Sequence, residues 1–194
     1  MTDEQRRVHD NIVGGKRGEL VGPLRAALLN PALAEQWQQF GAALRFGTSV
    51  PRTITEVAIL VTGRRWNSQV EYFIHARDAL AAGVPAALIE QIRLGQVPEF
   101  DTQEACDAYE YARQLQAHGN VEQVLYDRMV ARWQPIGVME LTAVIGYYTM
   151  VSMTLNAHDI SVPEGQTPPL SVEVQQGLPV LAELPPGVVK GGQS

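Results

Sequence analysis

Apolar residues recur at spacings of three and four along most of the chain, which is the periodicity of amphipathic α-helices. The period-two alternation of a half-buried strand is nearly absent before Ser161. This pattern predicts an all-α protein, a compact bundle of about seven helices joined by short connections. The predicted helices span residues 31–47, 51–66, 68–82, 85–94, 101–118, 121–133 and 137–156.

Proline, glycine and capping residues mark the ends of several of these helices. Asn30 followed by Pro31 is typical of a helix start, because asparagine caps free backbone N–H groups and proline suits the first helical position. Gly83 is expected to end the third predicted helix as a C-terminal cap. The sequence Asp101-Thr102-Gln103-Glu104 is spelled like a capping box and predicts the start of the fifth.

The composition changes after Ser161, where six of the twelve prolines lie. We therefore predict a helical domain over residues 1–160 and an extended or partly disordered arm over residues 161–194. Apolar residues distinguish this arm from an ordinary flexible linker, and we expect it to lie over its own helical body or over a neighbouring subunit. These residues are Leu170, Val172, Val174, Leu178, Val180 and Leu181.

The segment 137–157 contains one charged residue, Glu140, and is long enough to cross a bilayer. Its five threonine, serine and asparagine side chains favour a helix that is buried on most sides, in the core or at a subunit contact. Residues 1–7 are polar and no apolar run follows them, so no secretory signal is predicted. We do not expect a membrane as partner.

Charge and cysteine content exclude several classes of function. Fifteen Lys and Arg residues against twenty-one Asp and Glu residues give a net charge of −6, which argues against binding to nucleic acid or to anionic lipid. The single cysteine, Cys106, excludes a disulfide, a redox pair and a multi-thiolate zinc site within one chain. A reducing cytoplasm is the expected location.

Candidate chemistry lies on the second and third predicted helices. Glu56 and His75 are equally distant in sequence from a predicted turn near residues 65–67, so antiparallel packing of the two helices sets them at the same height. Glu71 precedes His75 by four residues and lies on the same helical face. The pattern predicts two carboxylates and one imidazole around a small volume, where burial and charge can tune a proton donor or acceptor.

Two structural interpretations compete with this prediction. The sequences 53–56 and 68–71 are both spelled like capping boxes, so Glu56 and Glu71 could each serve only to bind backbone N–H groups. His75 could be a core histidine whose hydrogen bonds are satisfied. A metal site formed by these three residues has a weak pattern, since it offers one histidine and two carboxylates, and we predict no bound metal.

Several stretches of the sequence are similar to a known family. They read PLRAALLNP (23–31), LRFGT (44–48), EVAILV (56–61), EYFIHA (71–76), ALAAGV (79–84) and ELTAVIGYY (140–148). Over roughly residues 18–165 the chain resembles the carboxymuconolactone decarboxylase family, and the spacing of Glu56, Glu71 and His75 is the most specific element. The resemblance implies the alkylhydroperoxidase D-like helical fold, with protomers that pair and assemble into dimers, trimers or hexamers.

The same superfamily contains thiol peroxidases, in which a glutamate is followed at twelve, fifteen and nineteen residues by cysteine, cysteine and histidine. Here Glu56 is followed at those positions by Ser68, Glu71 and His75. Cys106 lies on another predicted helix and has no second thiol. Peroxide reduction by a dithiol is therefore not implied, because a hydroxyl and a carboxylate cannot form the sulfenate and the disulfide that it requires.

The resemblance instead implies a cofactor-free lyase that decarboxylates a small carboxylated lactone or a related ring-cleavage product. We expect Glu71 and His75 to move the proton and Glu56 to orient or charge-couple the histidine. Arg45 would bind the anionic substrate, although an ion pair within the protein is an equal alternative. Trp66 and Tyr148 would wall the pocket, unless they are core residues.

Two other functions stay open. One is an alkylhydroperoxidase-like antioxidant protein, of peroxiredoxin type, that uses Cys106 or external thiols. The other is a non-catalytic oligomeric binding protein with the same fold, because a shared fold is weaker support for a reaction than for an architecture.

Overall fold

Eight helices account for most of the chain in the computed structural model, which describes residues 1–15, 18, 20, 22–171 and 179–189. The described residues contain no strand, only one isolated bridge between Phe100 and Val189. The predicted all-α class is therefore confirmed. The helices are α1 (Asp3–Val13), α2 (Pro23–Ala27), α3 (Pro31–Phe46), α4 (Arg52–Arg65), α5 (Gln69–Ala82), α6 (Ala86–Leu94), α7 (Gln103–His118) and α8 (Gln123–Ala157).

Helix α4 occupies the centre of the bundle. Residues 54–63 are all buried, and the helix packs against α5, α6, α7 and α8. A helix that is buried on every side has no polar face, so any charged residue in this run must find its partners inside the protein. Glu56 is the charged residue in that run.

Helix α8 joins two helices that the sequence predicts separately, 121–133 and 137–156. The backbone of Gln134 leaves the helical region, with φ 58° and ψ 169°, directly before Pro135. The proline ring disfavours the helical conformation in the preceding residue, which accounts for the bend. By length and apolar composition α8 is long enough to cross a membrane, and half of its most apolar window is buried inside the chain.

Helices α1 and α2 are absent from the sequence prediction. Helix α1 is mostly charged and polar, and its buried residues are only Val8 and Ile12, which lie one turn apart. A capping box between Thr2 and Gln5 fixes its start. Two buried apolar residues are too few to define a periodicity, so this helix depends on its packing against α3.

The helix ends follow the predicted signals with small shifts. Gly83 ends α5 in the left-handed conformation, with φ 98°, as predicted. The capping residue of α7 is Thr102, one position after the first residue of the predicted capping box. Its side chain accepts from the backbone N–H of Ala105. Pro85 precedes α6 as its capping residue.

The described parts of the arm, up to residue 171 and from 179 to 189, lie on the helices of their own chain. Leu170 and Leu181 are buried within the main core cluster. The hydroxyl of Tyr109 donates to the carbonyl of Ala182 at 2.8 Å. Val172, Val174 and Leu178, which we predicted to hold the arm in place, lie outside the described residues.

Replacement of Leu60 tests the central position of α4. Leu60 is fully buried, and we expect Leu60→Ala to lower the free energy of unfolding by about 2–5 kcal/mol, because it opens a cavity in the core. The same change at Leu80, which is 58% exposed on α5, should cost less than about 0.5 kcal/mol. Urea denaturation followed by circular dichroism measures both. Equal losses in the two variants would contradict this packing.

Candidate active site

Helices α4 and α5 form an antiparallel hairpin that brings the predicted acid–base residues together. The turn comprises residues 66–68, and Asn67 adopts a left-handed conformation with φ 47°, which asparagine tolerates better than most residues. Counted from Asn67, Glu56 lies eleven residues before the turn and His75 eight residues after it, so the two positions differ in height by less than one helical turn and their side chains can meet. The turn therefore fixes the register of the site.

The imidazole of His75 lies between two carboxylates. Its Nδ1 is 2.7 Å from Oε2 of Glu56, and its Nε2 is 2.9 Å from Oε1 of Glu71. The Nε2 contact is an ion pair at a poor hydrogen-bond angle, since Oε1 of Glu71 has no well-formed hydrogen bond. All three residues are 3% exposed or less. The structure thus brings together the three residues predicted from spacing.

The capping interpretation of the two glutamates is wrong. Pro51, not Thr53, occupies the capping position of α4, and the side chain of Ser68 makes no capping hydrogen bond at α5. Among the described hydrogen bonds, none joins a backbone N–H to the carboxylate of Glu56 or Glu71. Both carboxylates instead point to the histidine.

Two opposing effects act on the pKa of His75. Burial alone lowers the pKa, because it disfavours the charged imidazolium. The charge of Glu71 and the hydrogen bond to Glu56 outweigh burial and raise the pKa to about 9. A doubly protonated ring also satisfies both contacts, since each nitrogen then donates towards a carboxylate. The two carboxylates therefore favour the imidazolium form of His75.

Arginines continue this arrangement beyond Glu56. The Nε of Arg52 lies 3.4 Å from Oε1 of Glu56, and a second nitrogen of Arg52 lies 3.4 Å from Oδ2 of Asp78. The same Oδ2 accepts from the guanidinium of Arg45. The side chains from Glu71 through His75, Glu56, Arg52 and Asp78 to Arg45 therefore form a series of six alternating charges. We refer to this series as the charge relay array.

Asp78 is the functional residue that the sequence interpretation missed. It follows His75 by three residues on α5, a spacing that places both on one helical face. Burial opposes ionisation of its carboxyl group, but Arg45 and Arg77 outweigh burial and hold the pKa of Asp78 below its usual value. Arg45 thus forms an ion pair within the protein, the alternative role given to it from the sequence, and it also lies beside the site.

Glu56, His75 and Asp78 also satisfy the spacing of a metal site, since one donor atom from each lies within 4.8 Å of the others. The donors are already engaged, however. Arg52 contacts both carboxylates, and Nδ1 of His75 is bonded to Glu56. A cation bound there would have to displace a guanidinium, so the residues fit an ion-pair array better than a metal centre.

Two adjoining cavities border five of the six members of the charge relay array, all except Glu56. The inner cleft has a volume of about 40 Å³, and its lining includes Glu71, His75, Arg45 and Tyr148. The outer cavity has a volume of about 580 Å³ and shares Arg45 with the cleft, together with three further residues. Glu71 is therefore the carboxylate that faces the cleft, while Glu56 lies behind the histidine.

Tyr148 contributes an aromatic wall to the inner cleft, as predicted. Its ring packs edge-on against His75, with 4.8 Å between the ring centroids. Burial and the nearby charge of Glu71 raise the pKa of the Tyr148 hydroxyl well above its ordinary value, so the group stays protonated. No hydrogen bond joins this hydroxyl to another described residue, which leaves it able to donate to a ligand.

Trp66, in contrast, lines neither of these cavities. Its indole Nε1 donates to Gln116 at 2.9 Å, and its carbonyl accepts from Asn156. The residue lies at the turn end of α4, about 15 Å along the helix from Glu56. The prediction that Trp66 walls the pocket is therefore corrected, and the residue instead ties the hairpin turn to α7 and α8.

Comparisons with known proteins add no family assignment. A scan against protein-family models found no match, and a search of curated protein sequences found no similar protein. The function of the site has to be inferred from its geometry and from the resemblance of its motifs.

The raised pKa of His75 predicts a pH dependence of stability. The folded pKa of about 9 exceeds the ordinary value of 6.5, so the native state binds the proton more tightly than the unfolded chain. This contribution is fully present below pH 6.5 and is lost as the pH rises towards about 9. Urea unfolding across this range should show a steady decline of the free energy of unfolding in the wild-type protein.

His75→Gln should flatten that decline, because glutamine cannot titrate. His118→Gln, which changes an exposed histidine on α7, is the matched control and should keep the wild-type slope. An NMR titration that places the His75 imidazole at or below its ordinary pKa would contradict the assignment.

Proposed function

We propose that the protein is a cofactor-free acid–base enzyme of the carboxymuconolactone decarboxylase type, which acts on a small carboxylated lactone or a related ring-cleavage product. One observation carries this proposal. The buried imidazole of His75 is held between two carboxylates, and of these Glu71 lines the inner cleft. Perturbed titratable groups beside a cavity are typical of catalytic sites.

The proposed reaction needs a proton at one stage. When a carboxylated butenolide loses carbon dioxide, the C–C bond to the carboxylate breaks and its electron pair moves towards the lactone carbonyl, forming a dienolate. A proton must then be delivered to carbon. His75 passes its Nε2 proton to the Glu71 carboxylate, and the carboxylic acid so formed delivers the proton to the substrate carbon. Solvent restores the proton to the histidine at the end of the cycle.

Glu56 acts through the histidine and does not touch the substrate. Its carboxylate bonds Nδ1 of His75 at 2.7 Å and thereby fixes the ring so that Nε2 points to Glu71. It also stabilises the imidazolium, which keeps the proton available at neutral pH. Glu56 is therefore a positioning residue in this mechanism.

Arg45 is the substrate-binding residue that the geometry supports. It belongs to the lining of both cavities, and its buried Nε has no hydrogen-bond partner. A buried donor without a partner is costly, and the carboxylate of a substrate would satisfy it. Its pairing with Asp78 leaves this edge of the guanidinium available.

A peroxidase that depends on Cys106 is disfavoured. Burial, followed by the charges of Asp107 and Glu110, raises the pKa of the thiol to about 11, so the nucleophilic thiolate is scarce at neutral pH. The thiol lines a different cavity, beside the arm, and not the one that contains His75. A single buried free thiol also suits a reducing compartment, which supports a cytoplasmic location.

An exposed face of α8 supports self-association. Apolar and small residues follow each other at spacings of three and four along this face, which is the pattern of a helix-pairing seam. No described atom lies within 4 Å of the place where a Cβ on Gly146 would be, so a second helix can approach there. The residues are Ile136, Met139, Ala143, Gly146, Met150 and Met153.

Replacement of Glu71 tests the proposed chemistry. Glu71→Gln keeps the size of the side chain but cannot carry the proton, and we expect it to lower turnover at least about 100-fold. The assay follows carbon dioxide release from a panel of carboxylated butenolides. Glu104→Gln, at an exposed position on α7, should keep wild-type rates, and circular dichroism verifies that each variant is folded.

Three outcomes would count against the proposal, one in this assay, one in a peroxide-reduction assay and one in a binding measurement. Full activity of Glu71→Gln would remove the proton donor from the mechanism. Peroxide reduction that is lost in Cys106→Ala would favour the antioxidant function. Binding of the panel by wild-type protein without any turnover would favour a non-catalytic binding protein.

Charge placed on the α8 face tests self-association. We expect the wild-type protein to sediment as a dimer or a larger assembly, and Met139→Glu combined with Met153→Glu to shift it to the monomer, because two buried like charges would face each other. Val124→Glu, at an exposed position near the start of α8, is the matched control and should not change the mass. A wild-type monomer in analytical ultracentrifugation would exclude this interface.

A further inference from the structure

The two cavities beside the charge relay array differ greatly in size, about 40 Å³ for the inner cleft against about 580 Å³ for the outer cavity. The cleft has room for only a few water molecules. A substrate can therefore place no more than a narrow reacting end against Glu71. The rest of any molecule that reaches this carboxylate has to lie in the outer cavity.

The outer cavity has an excess of positive charge. Four arginines line it, Arg25, Arg45, Arg52 and Arg77, against the single carboxylate of Asp78. Three of them share this carboxylate, because Arg45 and Arg52 contact Oδ2 and Arg77 contacts Oδ1. The one described hydrogen bond of Arg25 goes to a backbone carbonyl. In a chain with a net charge of −6, such a local excess favours an anionic ligand.

The same cavity also offers an apolar wall. Phe73 and Ile74 on α5 line it together with Ile160 and Pro163, which follow the end of α8. Arg25 and Arg77 are exposed and mark the solvent end, whereas Arg45 adjoins the inner cleft. A ligand that crosses the cavity thus meets guanidinium groups at the solvent end, an apolar surface beside them and the cleft at its inner end.

We infer that the outer cavity is a binding site for an extended amphiphilic anion, whose oxyanion group contacts Arg25 and Arg77 and whose apolar body lies along Phe73 and Ile74. Its narrow end carries the reacting carboxylate that Arg45 binds and reaches Glu71, and this last assignment rests on the proposed function. The substrate class is therefore a carboxylated compound with an elongated aliphatic or aromatic body and not a compact ring alone. Carboxylate recognition by arginine at one end and burial of carbon at the other supply the affinity.

Straight-chain carboxylates test this site without any need for turnover. Isothermal titration calorimetry with acetate, butyrate, hexanoate and octanoate should show a dissociation constant that falls about threefold for each added methylene, as expected for partial burial of carbon. We expect 1-octanol, which has the same chain but no charge, to bind at least about tenfold more weakly than octanoate.

Variants identify the arginines involved. Arg25→Gln combined with Arg77→Gln should weaken octanoate binding about tenfold, because two charge-assisted contacts are lost. Arg132→Gln, at an exposed ion pair between α7 and α8, is the matched control and should bind octanoate as the wild type does. Affinity that is independent of chain length, equal binding of 1-octanol, or unchanged binding by the double variant would each overturn the inference.

The outcome can be separated from that of the proposed function. Octanoate binding that follows this pattern in a protein without acid–base turnover would preserve the site and reject the reaction. Normal decarboxylation of a compact lactone, together with no measurable octanoate binding, would reject the extended ligand and preserve the reaction.

Discussion

The site depends on one constraint, which is that charges of opposite sign must alternate among side chains that are mostly buried. Burial of one charged side chain is costly unless an opposite charge lies beside it. Here each member of the charge relay array, from Glu71 to Arg45, lies beside members of opposite sign. Every member of the array is needed, because removal of one side chain leaves its neighbours buried with an uncompensated charge. Only Arg52 is half-exposed, so its contribution to the array is the most screened by solvent.

The fold can be understood as the means of burying this array. Glu56 projects from a helix that is covered on all sides, and α5 supplies His75, Glu71 and Asp78 from a single face. Helix α3 then contributes Arg45, and α8 contributes the ring of Tyr148 against the imidazole. Four helices thus hold six charged groups and one aromatic ring with little freedom. A proton that moves within such a rigid environment requires little reorganisation of the surroundings.

The sequence was informative where the geometry is local and uninformative where it is not. The register of a short hairpin depends on one turn, so the convergence of Glu56, Glu71 and His75 follows from counting residues along two helices. The contact between Arg45 and Asp78 joins residues 33 positions apart on helices that are not consecutive, and no periodicity predicts it. Trp66 shows the opposite error. It lies between the two motif helices in sequence, but it is at the hairpin turn, about 15 Å along α4 from Glu56 and therefore far from the site. Helix α1 is absent from the sequence prediction because its two buried apolar residues are too few to define a helical periodicity.

The asymmetry of the array gives the site a direction. Both imidazole nitrogens contact carboxylates, through a hydrogen bond to Glu56 and through an ion pair of poorer geometry to Glu71. Access distinguishes them, because Glu71 borders the cleft while Glu56 is enclosed and further stabilised by Arg52. A guanidinium lies beside Glu56, whereas among the described residues the histidine is the cation that contacts Glu71. In the proposed mechanism the proton of His75 therefore leaves through Glu71, because this is the carboxylate that borders the cleft.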